Sequence, residues 1–430
     1  MELTANTEQK AITPQQSTPV KTFKFNPLLP GFNANPYPIY TRLRTEDPIH
    51  QDIAGNWIVT RYADVKKVLE DKRFITDKIP ERIQEKNRYI QDKQKDYNIL
   101  VQTIRQWLMF LDPPEHTQLR GMVNKAFFLK TVQRMRPQIQ KSVEQLINKV
   151  QASGQIDIIR DIASPLPVIV ISQILGLPAK QYDRLTHLTK DLFLVIEPLL
   201  SLEDYERLNQ TALEFRECLL QTIIARVKNP QEDLISFLIA ARVGYGNPLT
   251  QETENDLLSI CTFLFSAGEE TTVNLIANGI LALLHHPHEM ERLKQQPQMI
   301  ESAVEELLRY DSPVQFVARI ATEEISLVNK TIQAEDRVLL CLGAANRDPL
   351  QFADPDQLNL TRSENRHLAF SDGIHYCLGA TLARIEGQIA INTLVQKLPE
   401  LSLVSETLTW QKNVVFRGLK ALPLRFTPST

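Results

Sequence analysis

The sequence predicts a mainly α-helical protein with small β-sheets, built as one large domain over residues 23–430 behind a flexible N-terminal tail, residues 1–22. Three observations predict it. From Asp112 to about Leu308 apolar residues recur mostly at three and four spacing, with Pro or Gly at the breaks, the pattern of helices in succession. Alternation suited to strands is confined to a stretch near residue 50, to 317–342 and to 400–428. After residue 22 there is no repeat, no Pro/Ser linker and no shift in composition to mark a boundary.

Taken in order, residues 1–22 are polar and rich in Thr, Gln and Lys, without the apolar core of a secretory signal or a membrane anchor. "NPYPIYTRLRTEDPI" reads as a short helix, and "IHQDIAGNWIVTR" as a hairpin around a Gly-Asn turn. Residues 77–105, "DKIPERIQEKNRYIQDKQKDYNILVQTIR", are dense in charge and weakly patterned, so they form either a solvated helix or a mobile loop. The helical run then continues to about Leu308, and "CLGATLARIEGQIAINTLVQKL" near the end has the period of one more buried helix.

Composition excludes several classes of function. With 430 residues, 43% of them hydrophobic and 23% charged, the chain has ample material for a large core. A net charge of −3 gives no electrostatic case for nucleic acid or an anionic membrane surface, so small molecules or other proteins are the expected partners. Cys218, Cys261, Cys341 and Cys377 lie far apart with no C-x-x-C pair, which predicts neither zinc nor disulfides and points to a reducing, cytoplasmic setting.

Cys377 stands apart from the other three. In "FSDGIHYCLG", Gly373 and Gly379 flank it at minus four and plus two, and a helix begins just after the sulfur. A lone cysteine is ordinarily an inert buried thiol. Here the glycines let backbone approach the sulfur, and amides with the positive end of a helix favour a thiolate, the form that ligates haem iron.

Phe370, Gly373, His375, Cys377, Gly379, Leu382, Ala383 and Arg384 match F-x-x-G-x-H-x-C-x-G-x-x-L-A-R, and on them the chain resembles the cytochrome P450 family, in particular its soluble bacterial members. The likeness runs from about residue 25 to the end; Ser371 departs from the glycine that commonly follows the phenylalanine. It implies the cytochrome P450 fold and haem b (iron protoporphyrin IX), with Cys377 as metal ligand and Phe370 and Gly379 beside the ring. In "FLFSAGEETTVNLIANGILALL" it implies that Ala267 and Gly268 leave room for dioxygen and that Glu270 and Thr271 deliver protons to it. For Glu269 solvation is the simplest reading, and Thr272 can bond a carbonyl one turn back. His116 and Arg120, at i and i+4 after the helix start "DPP", carry over as propionate donors, together with Arg319 and His375. Glu306 and Arg309 match the family's E-x-x-R helix, and Arg362 is the third member of that structural triad.

The function implied is a haem-thiolate monooxygenase that uses O2 to oxidise a small, largely hydrophobic substrate such as a secondary-metabolite intermediate. The alternatives are a peroxide-using haem-thiolate enzyme, which has no need of the acid-alcohol pair, and a non-catalytic haem sensor or carrier. No P-loop or complete dinucleotide fingerprint occurs ("GYGNPL" lacks the third glycine), so electrons are expected from a separate ferredoxin and its NAD(P)H-dependent reductase. "HHPHE" at 285–289 is discounted as a metal site because Pro287 breaks the helix. The pocket is expected from the 77–107 segment, the 185–210 region, Phe263, Ala267, Val314–Val317 and Val414–Phe416.

Overall fold

The computed structural model describes residues 25–27, 29, 31–91, 96–126, 129–198, 200–244 and 247–428, so the expected tail at 1–22 lies outside the described residues. A 35-residue helix, Gln251–His285, organises the rest. Thr250 and Thr253 form a reciprocal capping box at its start, and it stops where Pro287 opens the next helix, Pro287–Gln295. Around it pack Asn98–Ile104, Pro165–Leu175, Leu202–Lys228, Ile300–Tyr310 and Ala380–Lys397.

This central helix joins two cores. Its first half, through Leu257, Cys261, Leu264 and Phe265, packs with Leu208, Phe215, Leu219 and Leu238. Its second half, through Val273, Ile276 and Ile280, packs with Val304, Leu307, Ile385 and Ile389. The polar run Ala267–Thr272 falls at the junction, so the residues least suited to a helix interior sit where the two cores part.

The sheets are small. β1 (Ile49–Gln51) and β2 (Trp57–Val59) form the expected hairpin, whose loop is tied by Asp52 Oδ1 accepting the amides of Ala54 (2.8 Å) and Asn56 (2.9 Å). With β3 (Phe74–Thr76), β5 (Phe316–Ala321) and β8 (Arg337–Cys341) they make a five-stranded sheet of order β1-β2-β8-β5-β3, antiparallel except for β2 on β8. β4 (Gln155–Asp157), β9 (Ser402–Leu403) and β10 (Pro423–Arg425) form a second sheet, and β6 (Ile325–Leu327) pairs with β7 (Lys330–Ile332).

The charged 77–105 segment is helical, as Ile79–Gln91 and Asn98–Ile104. Ile79, Ile83 and Asn87 fall on one face and are buried, leaving Glu81, Arg82, Glu85, Lys86 and Arg88 outward. Asn87 stitches the two helices together: its Oδ1 accepts the Tyr97 amide at 2.8 Å and its Nδ2 donates to Asn98 Oδ1 at 2.8 Å. One stretch among the described residues, Ile158–Leu175, is long and apolar enough to cross a membrane; 67% of it is buried inside the fold, where it packs on the central helix.

Candidate active site

The loop Phe370–Gly379 presents Cys377 into an interior cavity of about 320 Å³. The Cys377 amide donates to Phe370 O at 2.9 Å and the Tyr376 amide to Gly373 O at 3.1 Å, closing a tight double turn. Gly373 has φ +67°, and a Cβ there would lie 2.6 Å from the carbonyl oxygen of Leu69, so only glycine fits. Ser371 adopts φ +62°, a region that costs an L side chain about 1 kcal/mol or more, and its Oγ is buried without a hydrogen-bond partner. Of the four cysteines, Cys218, Cys261 and Cys341 are buried while Cys377 is open to the cavity. Burial pushes its thiol pKa up; the Gly379 amide, which donates to the sulfur, and the charges of Arg120 and Arg384 pull it back.

Four cationic or donor groups converge beside the sulfur. The rings of His116 and His375 lie 4.3 Å apart, and Arg120 Nη2 donates to Tyr376 O at 2.6 Å. Arg319, on β5, is buried, with Nη1 donating to Ala318 O at 2.8 Å. These groups come from three separate parts of the chain and oppose one another: burial, then Arg319, His116 and Arg120 in turn, hold the His375 imidazole down at about 2, and burial holds Arg319 at about 10. The nearby carboxylate, Asp112, is turned to the amide and hydroxyl of Thr76 (3.2 and 2.9 Å). His116 Nε2 is buried with no hydrogen-bond partner among the described residues, while the charge of Asp112 reaches both His116 and Arg319.

Across the cavity the central helix contributes Ala267, Gly268, Thr271 and Thr272. Thr271 Oγ1 donates to Ala267 O at 3.1 Å, the one-turn-back bond that sequence reasoning offered for Thr272. Glu270 is buried and lies off the cavity wall, accepting from Asn274 Nδ2 (3.1 Å) and Gln411 Nε2 (3.2 Å). Glu269 is not solvated: it is wholly buried, with Ser164 Oγ donating to it at 3.4 Å, because its face of the helix meets the segment before Pro165–Leu175. Aromatic rings close the far side. Phe193 stacks on Phe416 at 5.3 Å, and Trp107 bridges Phe110, Phe193 and Phe263 at 5.6–5.9 Å.

Comparison with known proteins decides what this arrangement belongs to. The family described as Cytochrome P450 matches residues 57–408. The polyketide biosynthesis cytochrome P450 PksS of Bacillus subtilis is 38% identical over 93% of this chain and 98% of its own length. The biotin biosynthesis cytochrome P450 of the same organism is 37% identical over 92% of this chain and 97% of its own. Among solved structures, P450BioI in complex with acyl carrier protein bearing hexadec-9Z-enoic acid superposes with a TM-score of 0.83 at 37% identity, covering 92% of this chain and all of that one. The chain belongs to the cytochrome P450 family. It is a haem-thiolate monooxygenase, an oxidoreductase acting on O2 and a small organic molecule.

Haem is the prosthetic group of cytochrome P450s, and the residues of this P450 fit it. Gly268 on the central helix and Gly379 on the ligand loop both line the cavity, each with open space where a Cβ would project. The Cys377 thiol opens into the same cavity, which His116, Arg120, Arg319 and His375 also line.

The frame behind the loop in this P450 joins Arg384 of the ligand-loop signature to Glu305 and His367, two residues that the sequence did not single out. Arg384 donates to Glu305 at 2.6 and 2.9 Å and to Tyr376 Oη at 3.1 Å, and its guanidinium lies 4.5 Å from the Phe370 ring centroid. His367 Nε2 shares Glu305 at 3.2 Å, and against its burial these partners hold the Glu305 carboxyl down at about 2. Next to it Glu306 and Arg309, both fully buried, pair at 2.8 and 2.9 Å, with Arg362 Nε on Glu306 at 3.0 Å. The doublet Glu305–Glu306 thus serves two neighbouring arginine clusters; only the second has a spacing visible in sequence. The pocket also differs from expectation at one edge. Among the described residues of 77–107 only Asp77 and Ile79 line it, and Leu108–Phe110 take over, because the two helices of that segment turn their apolar residues into the core.

Proposed function

We propose that Cys377 ligates the iron of haem b, that His116, Arg120, Arg319 and His375 hold its propionates, and that Ala267, Gly268, Phe370 and Gly379 shape the walls against the ring. The observation that carries this reading is a thiol open to a cavity that those two arginines and two histidines also line, with His116 Nε2 buried and without a hydrogen-bond partner among the described residues. Bound there, haem supplies the activation of dioxygen and the oxidation of an unreactive C–H bond. The Gly379 amide and the start of Ala380–Lys397 favour Cys377 as thiolate. Thr271 Oγ1 holds a proton at the cavity wall, resting on Ala267 O. Glu270, behind the helix on Gln411 and Asn274, takes up a proton from solvent and, by rotating away from those two amides, passes it on to replace the one Thr271 gives up.

The substrate is an apolar acyl-chain or polyketide-type molecule. The Phe193, Phe263 and Phe416 rings with Leu264, Val314 and Val415 support this, as do the polyketide and fatty-acyl contexts named for the two relatives. Electrons come from a ferredoxin and its NAD(P)H-dependent reductase in the cytoplasm, and residues 23–430 act as one catalytic domain. The test is a spectral titration of the haem-loaded protein with hexadec-9Z-enoic acid, free and linked to an acyl carrier protein. Low- to high-spin conversion is expected with at least one form. Conversion only by strongly polar compounds would overturn the substrate class.

A further inference from the structure

One carboxylate outside the catalytic apparatus is bound in an unusual way. Glu197 follows the short helical turn Phe193–Ile196, and both of its oxygens are used by backbone of a segment 217 and 218 residues away. The Val414 amide donates to Oε2 at 2.9 Å and the Val415 amide donates to Oε1 at 3.1 Å, with the Phe416 amide next to them also favouring the carboxylate. A carboxylate accepting consecutive amides is a charge-assisted clamp on the chain's path, indifferent to the side chains it holds. Burial pushes the Glu197 pKa up, and the three amides oppose that shift.

What the clamp joins gives it a role. Phe193 and Ile196 on one side, and Val414, Val415 and Phe416 on the other, all line the cavity, and Phe193 stacks on Phe416 across the seam. The 414–416 segment is anchored on its other flank to the framework: the Gln315 amide donates to Val415 O at 2.8 Å and the Arg417 amide to Pro313 O at 2.9 Å. Glu197 therefore fastens the 193–198 turn to a fixed edge.

We propose that Glu197 is a positioning residue that closes the substrate pocket along this seam, so that the clamp sets how fast and how selectively ligands reach the cavity. The proposal rests on the reading of the cavity as the substrate pocket. Glu197→Ala removes the whole clamp, and Glu197→Gln, equal in shape, keeps one acceptor oxygen of two.

The experiment has two arms on the haem-loaded protein. Amide hydrogen exchange of Val414–Phe416 should quicken at least ten-fold in Glu197→Ala and by less in Glu197→Gln. Stopped-flow association of 4-phenylimidazole, followed by its Soret shift, should quicken several-fold in the same order. Unchanged exchange in both variants would overturn the clamp. Faster exchange with unchanged association would overturn its role at the pocket and leave Glu197 a purely structural tie. If the unaltered protein takes up no haem there is no Soret band to follow, which sinks the haem-thiolate reading, while amide exchange measured on the haem-free protein and its two variants still decides the clamp.

Discussion

Replacing Arg309 with methionine tests how the protein holds its ligand loop. Both Arg309 and Glu306 have side chains 0% exposed. The guanidinium donates to Glu306 twice and to the carbonyls of Asn346 (2.9 Å), Pro355 (2.8 Å) and Gln357 (3.2 Å), so it ties Ile300–Tyr310 to the C-cap of the short helix Leu342–Ala345 and to the loop at 355–357. Methionine matches the volume and supplies none of these donors. Removing one partner of a buried pair costs about 3–5 kcal/mol. Glu306 keeps Arg362, Asn365 Nδ2 (3.2 Å) and the Asn359 amide (2.9 Å), which places the expectation at the lower end, about 3 kcal/mol. The exposed pair Lys78–Glu335, 45% and 71% exposed, is the control: Lys78→Met should cost about 0–1 kcal/mol. The assay is the urea midpoint by tryptophan fluorescence, with haem content read by absorbance. Arg309→Met should lower both, and Lys78→Met neither. Equal midpoints and haem content in wild type and Arg309→Met would refute the view that this buried triad carries the proximal frame.

Three further outcomes are expected. Ser371→Gly relieves a left-handed serine with an unpaired buried hydroxyl, so the thermal midpoint should rise, by about 1 kcal/mol of stability; a lower midpoint would contradict the strain. Glu386, buried beside the cavity, is pushed up to about 8 by burial, so the folded state keeps a proton that the unfolded chain releases at lower pH. Its contribution is therefore fully present below the ordinary carboxylate range and lost as pH rises through about 8, and Glu386→Gln should narrow the fall in urea midpoint between pH 6 and pH 9, by about 3 kcal/mol at most; the same fall in both proteins would refute this. Thr271→Ala should still take up haem and substrate but misdirect protons, so NAD(P)H consumption stays within a few-fold while hydrogen peroxide rises and product per NAD(P)H drops; unchanged coupling would remove the hydroxyl from the relay.

The legible part of the site was the part written as local spacing. Cys377 with its two glycines, His116 with Arg120 at i and i+4, and Glu306 with Arg309 at i and i+3 can all be seen in one short window. Arg319 lies two hundred residues from His116 along the chain, and only its membership of a family pattern brought it into the cluster. Glu305 with His367 and Arg384, and Glu197 with the amides of 414–416, leave no such trace, since one is a long-range ion pair and the other binds backbone. In the fold, long periodic helices were readable. The helix at Ile79–Gln91 was ambiguous because its described buried positions are only Ile79, Pro80, Ile83 and Asn87 amid many charges. Strands of three residues such as Gln155–Asp157 are too short to alternate, and Gln155–Asp157 exists because Pro423–Arg425 pairs with it. Glu269 was misread because two adjacent carboxylates in a helix look alike in sequence, while neighbouring positions point about 100° apart.

The most direct test of the whole account is the carbon monoxide difference spectrum of the reduced, haem-loaded protein, alone and as Cys377→Ser. Thiolate ligation predicts the strongly red-shifted Soret band that gives the family its name, lost in Cys377→Ser together with substrate oxidation by the native reductant. A band at the shorter wavelength of histidine-ligated haem in the unaltered protein, or a red-shifted band that survives Cys377→Ser, would contradict Cys377 as the ligand.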